Sequence, residues 1–174
     1  DDDPATHGER RTDHPVLGGR DWLVRRAGEG PLAVALGLAG PPVKEHVVEG
    51  LAELELEFPA IVHPSAVVSR HAVLGRGVVV GPGNVLSVNV QIEPFVTVNT
   101  ACTLGHDARV GRYATLLPGA NVSGHVILAD GVSVGTGAAI VQGVQIGAGA
   151  TVVGDLPSGC VAVGTPARPR AGRG

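Results

Sequence analysis

The chain has 174 residues, a formal net charge of −3 and no basic cluster, which argues against nucleic acid as its main partner. Apolar residues make up 44% of it, but aromatics only 2%, and Met is absent. No apolar run approaches the ~20 residues of a membrane span, no secretory signal is present, and two cysteines are too few to staple a secreted domain, so the cytoplasm is the default compartment.

Residues 1–57 read as a fragment of an α/β domain. Trp22 and Leu23 fall on a short helix after Gly18-Gly19. Pro31–Gly37 has the pattern of a buried strand that stops at a glycine. Pro41 and Pro42 then open a helix with Val43, Val47, Leu51 and Leu54 on its apolar side, and Leu54–Phe58 alternates as a short strand. The fragment is too short for a complete doubly wound domain. It opens on Asp1-Asp2-Asp3-Pro4, and the expectation is that its N-terminal portion is missing.

From Val62 to Val152 every sixth residue is aliphatic without a break of phase: Val62, Val68, Leu74, Val80 and onward to Ile140, Ile146 and Val152. A second column, four residues on, is small or aliphatic (Ala66, Ala72, Val78, Val96, Cys102, Ala108), with Asn84 as its polar exception. Neither helix nor simple strand periodicity generates this; a parallel β-helix of hexapeptide repeats does. Three hexads make one triangular coil, its narrow interior filled by aliphatic side chains, and glycines cluster where hexads turn (Gly75, Gly81, Gly105, Gly111, Gly135, Gly147). Residues 18 apart then stack about 4.8 Å from one another. The β-helix spans 58–168, and 169–174 form a tail.

On such a surface most polar residues are bland. His7, His14, His46 and His63 read as solvated or structural, and Cys102, on an inward column, as a small buried hydrophobe and a poor nucleophile. His106 is different: it sits at an outward turn, Asp107 follows it, and Asn99 lies seven residues upstream. One column holds His71, Asn89, Asp107 and His125; the next holds Arg70, Val88, His106, Gly124 and Gln142. Gly124 leaves space beside the His106 imidazole. A histidine with room, a carboxylate and a nearby amide suits a general base. Zinc held by three imidazoles is the weaker reading, because His106 and His125 occupy different columns and no third ligand is evident. No metal is expected.

Three stretches, in order, carry a resemblance to the hexapeptide-repeat acyltransferases, within them the bacterial acetyltransferases of nucleotide-linked amino sugars or sialic acid: 57–67 at the entry to the β-helix, Asn99–Asp107 at the catalytic turn, and Gly164-Thr165-Pro166-Ala167-Arg168 near the end. The resemblance covers the chain from Pro15 onward. It implies a left-handed β-helix, a homotrimer with active sites between subunits, and acetyl-CoA as acyl donor. It also implies His106 as general base, oriented by Asp107, with Asn99 in the catalytic turn. The donor would lie along Thr115, Gly124, Thr136, Gly154 and Gly164; Thr115 stands where some relatives carry a histidine. Asp1 and Asp2 match an acidic pair of the nucleotide-sugar site, and Gly37 a glycine of its pocket, while the glycine-rich first turn of that site is absent. The leading expectation is an N-acetyltransferase acting on a nucleotide-activated amino sugar. The alternatives are a sugar O-acetyltransferase of sialic-acid type, a zinc-dependent β-helix enzyme and a non-catalytic trimeric scaffold.

Overall fold

The computed structural model describes residues 3–154, 156–157 and 160–170. Two-residue strands recur every six residues and stack as three parallel sheets of a left-handed β-helix. The first face runs from Ile61–Val62 to Thr151–Val152, the second from Val67–Val68 to Ala139–Ile140, and the third from Val73–Leu74 to Gln145–Ile146. Each strand pairs with the strand 18 residues away, as in Gln91↔Arg109 and Thr97↔Thr115, so hexad register becomes vertical register.

The two inward columns form the core. Val80, Leu86, Ile92, Val98, Leu104 and Leu116 are all but sealed, as are Val78, Val90, Val96, Cys102 and Ala108. Val62, the first of its column, is 39% exposed because no coil is stacked beneath it. Asn84, the polar exception, is wholly buried and satisfied: its amide donates to the carbonyls of Gly81 (2.8 Å) and Val98 (3.3 Å), and its Oδ1 accepts from the Cys102 N–H (2.7 Å). A buried amide so bonded carries little penalty. At the far end Val161–Val163 joins the third sheet, and the chain returns as Arg168–Pro169, antiparallel to it.

The N-terminal segment has a hairpin of β1 (Arg10–Arg11) and β2 (His14–Pro15), helix α1 (Arg20–Ala27), and a β–α–β unit of β3 (Leu32–Ala33), α2 (Pro41–Gly50) and β4 (Leu56–Glu57). The strand–helix–strand expectation holds, but the strand expected over 31–37 shrinks to β3, because β4 offers only two residues to pair with; Ala33 is exposed. The expected apolar side is met in part: Leu51, just past α2, is buried and Val47 packs on the aromatic cluster, but the buried residues within α2 are Pro41, Lys44 and Val48, and Val43 is 53% exposed. Leu36, Val47 and Val48 pack with Phe58, Phe95 and Tyr113 into a second apolar cluster outside the coils, with the Phe95 and Tyr113 rings stacked at 5.6 Å. The coils have no space for rings, so the rings serve as the seat for the N-terminal segment. No helix among the described residues is long and apolar enough to cross a membrane.

Candidate active site

The corner between the second and third faces holds His106 and Asp107, the base and carboxylate that the sequence leads one to expect. In successive coils its outermost residue is Asn89, Asp107 and His125, each in the left-handed backbone region (φ 58°, 59° and 55°). The other two corners fill most such positions with glycine, among them Gly83, Gly119 and Gly137 at one and Gly77, Gly131 and Gly149 at the other. Asn, Asp and His tolerate this conformation better than other side-chain-bearing residues, but still at some cost, and such residues often mark functional sites.

His106 Nδ1 lies 2.8 Å from Asp107 Oδ2, and Asn89 Nδ2 donates to Asp107 Oδ1 at 3.1 Å. An ionised carboxylate only accepts, so Nδ1 carries the proton and Nε2 is left with a lone pair. The His106 hydrogen bond, then the Asn89 one, hold the Asp107 carboxyl below the usual carboxylate range, so it stays charged and can steady an imidazolium. The ring lies across Gly124: a Cβ there would stand 2.6 Å from His106 Nε2. The space that the sequence suggested beside the imidazole is thus the space the imidazole occupies. Gly105 is equally required, since a Cβ on it would stand 2.5 Å from the Gly124 nitrogen. Close approach of coil to coil, not flexibility, is what these two glycines provide.

His125, which stacks over Asp107 in the same column, joins this group and also reaches His106 in the next column. Its Nε2 lies 3.9 Å from Asp107 Oδ2, its ring meets that of His106 edge to face at 4.8 Å, and its backbone N–H donates to the His106 carbonyl (2.9 Å). Adjacent columns in successive coils share one corner, and an imidazole is long enough to bridge them. The signal was present in the sequence as a His one column over and one coil up.

The other expected residues lie elsewhere. Asn99, Thr136 and Gly154 belong to the preceding corner, across the second face from His106, and Asn99 Oδ1 accepts from the Thr100 N–H (2.8 Å). Gly164 turns the C-terminal hairpin with φ 95°. Gly37 follows the buried Leu36 and has open space where a side chain would be. Asp1 and Asp2 lie outside the described residues.

Thr115 is buried on the first face, beneath the N-terminal segment. Its hydroxyl donates to the Ala39 carbonyl (2.6 Å) and accepts from Lys44 Nζ (2.9 Å). Lys44, which sequence reasoning missed, is 1% exposed and also donates to the Ala114 carbonyl (3.0 Å) and Thr97 Oγ1 (3.3 Å). All three partners are neutral, and burial lowers its ammonium pKa to about 8.

No protein-family profile and no curated protein sequence matches the chain. Its fold matches solved structures. The acetyltransferase domain of PglB from Neisseria gonorrhoeae FA1090 is 28% identical, with a TM-score of 0.68 over 97% of this chain and 85% of that one. WeeI from Acinetobacter baumannii AYE is 26% identical (TM-score 0.69, 97% and 84%). A histidine-to-asparagine variant of perosamine N-acetyltransferase from Caulobacter crescentus, in complex with CoA and GDP-perosamine, is 27% identical (TM-score 0.65, 92% and 79%).

Proposed function

We propose that this chain, a hexapeptide-repeat β-helix acyltransferase, transfers the acetyl group of acetyl-CoA to the amine of a nucleotide-linked amino sugar, with His106 as general base. The carrying observation is the His106–Asp107 pair at 2.8 Å, which fixes the tautomer and turns Nε2 into the proton acceptor. The amine nitrogen attacks the thioester carbonyl, forming the C–N bond, while Nε2 takes its proton. The intermediate collapses with loss of the C–S bond, and the imidazolium returns the proton to the departing thiolate. Asp107 stabilises the imidazolium between the two steps. Transfer is direct in this reading, and Cys102, buried on an inward column and with burial raising its thiol pKa, is a poor nucleophile.

Donor and acceptor classes draw support from the solved neighbour that holds CoA and GDP-perosamine. Dependence on acetyl-CoA puts the reaction in the cytoplasm. His106, Asp107 and Gly124 sit on one corner, and Asn99, Thr136 and Gly154 on the preceding one. A homotrimer that sets the first corner of one subunit against the second corner of the next would build a groove able to grip a long donor and exclude water. Gly37 and the N-terminal segment would hold the nucleotide end of the acceptor. The test is acetyl-CoA turnover against a panel of nucleotide amino sugars, with light scattering for assembly. The reading expects acetylation of at least one amine acceptor by a trimer. Turnover only with sugars that offer hydroxyls, or full activity in a monomer, overturns it.

A further inference from the structure

We infer that the catalytic corner is also a seat for a transition-metal dication, formed by His106, Asp107 and His125, and that Zn²⁺ bound there switches the transferase off. The inference rests on His106 being the base, and it concerns regulation of that site, not a requirement for metal.

Three observations carry it. First, one ligand atom from each of the three side chains lies within 4.8 Å of the other two. Asp107 Oδ2 is the hub, 2.8 Å from His106 Nδ1 and 3.9 Å from His125 Nε2. A metal with bonds of about 2.0–2.2 Å needs ligand atoms only slightly over 3 Å apart, so small side-chain rotations close the triangle. Second, the backbone preorganises the group. The His125 N–H to His106 carbonyl bond (2.9 Å) locks the two coils together, while Asn89 holds the other Asp107 oxygen at 3.1 Å, the kind of outer partner that orients a ligating carboxylate. Third, the three side chains are 48%, 38% and 55% exposed, so an ion can arrive from solvent and keep water in its remaining positions. Two imidazoles and one carboxylate suit zinc, cobalt, nickel or copper better than magnesium or calcium.

Occupancy and catalysis compete for the same atoms. An ion on Asp107 Oδ2 and a His106 nitrogen breaks the hydrogen bond that fixes the tautomer and removes the proton-cycling imidazole from the amine's path. His125 touches neither reacting atom in the proposed chemistry, so the two roles separate at that residue.

The experiment uses the full chain, stripped with EDTA, in two assays. Co²⁺ is titrated and followed by its visible absorption, with Zn²⁺ as competitor. Acetyl transfer is followed by chromatography of the product at buffered free Zn²⁺. Wild type should bind one Co²⁺ per chain, lose it to Zn²⁺, and lose transfer in step, with EDTA restoring the rate. His125→Asn keeps a residue that tolerates the left-handed backbone. It should retain metal-free transfer within a few-fold, while Co²⁺ binding and the Zn²⁺ inhibition constant both weaken by about 10–100-fold or more. Wild type that gives no Co²⁺ spectrum, or a His125→Asn variant inhibited as strongly as wild type, overturns the proposal. Transfer that EDTA abolishes and Zn²⁺ restores overturns the inhibitory role. If no amine acceptor is turned over at all, the transferase reading fails, and with it the inhibition; the Co²⁺ titration of wild type against His125→Asn still shows whether the metal seat exists.

Discussion

Two rows of polar side chains climb the same β-helix and end in opposite states. On the first face Thr97 and Thr115 are roofed by α2, and Lys44 meets them with three neutral partners inside a closed seam. At the corner after the second face Asn89, Asp107 and His125 stack at the same 18-residue interval, but the carboxylate and imidazoles remain a third to a half exposed. Stacking alone therefore does not decide what a polar row does. Cover decides it: the roofed row joins two parts of the fold, and the open row keeps its groups in reach of solvent.

The sharpest way to break the contrast is His106→Ala. The side chain contributes nothing to the core, so folding and assembly should survive, while kcat should fall about 10²–10⁴-fold, the usual worth of a positioned general base. Residual activity should rise with pH as the acceptor amine loses its proton unaided; near-normal kcat would remove His106 from the mechanism. Gly124→Ala tests the corner's tightness without replacing a reactive group. Gly124 has no left-handed backbone requirement, so the added Cβ acts through the 2.6 Å approach to His106 Nε2, and kcat should fall about 10²-fold, as for a misplaced catalytic group. Asp107→Asn should cost about tenfold, since it removes the orienting charge but keeps the base.

The roofed row predicts the smallest effect and one of different kind. Lys44 titrates near 8 when folded and near 10.5 when not, so between these values the unfolded chain holds more protons and stability rises with pH. Below pH 8 the buried charge is a cost at full strength. Lys44→Met should flatten the rise between pH 8 and 10.5 in thermal denaturation and stabilise the protein by about 1 kcal/mol at neutral pH, with transfer unchanged. A variant that melts lower at neutral pH would mean that the seam depends on the ammonium itself.

The β-helix was legible because each aliphatic position answers to one geometric demand, repeated every six residues. Asn84 announced itself as the one polar residue in an inward column. His106 and Asp107 could be picked out because adjacency in the sequence is adjacency at a turn. The buried face of α2 could not be read in this way. Hydrophobic spacing pointed to Val43, but the surface under the helix is a ladder of hydroxyls, and it takes Pro41, Lys44 and Val48 instead. The column placed His125 over Asp107 but not beside His106: columns describe where Cα atoms stack, whereas the two imidazoles meet across columns.

The coil register has one more consequence. The polar group at this corner is held within Asn89 to His125, two turns of a structure in which each turn touches only its neighbours. Turns could be added or removed above His125 in units of 18 residues without disturbing His106, Asp107 or Gly124. Such changes would lengthen or shorten the wall along which the proposed donor's arm would lie. The β-helix is thus a ruler with the reactive mark fixed at one point, and the reach of the donor would be set by how many graduations follow it.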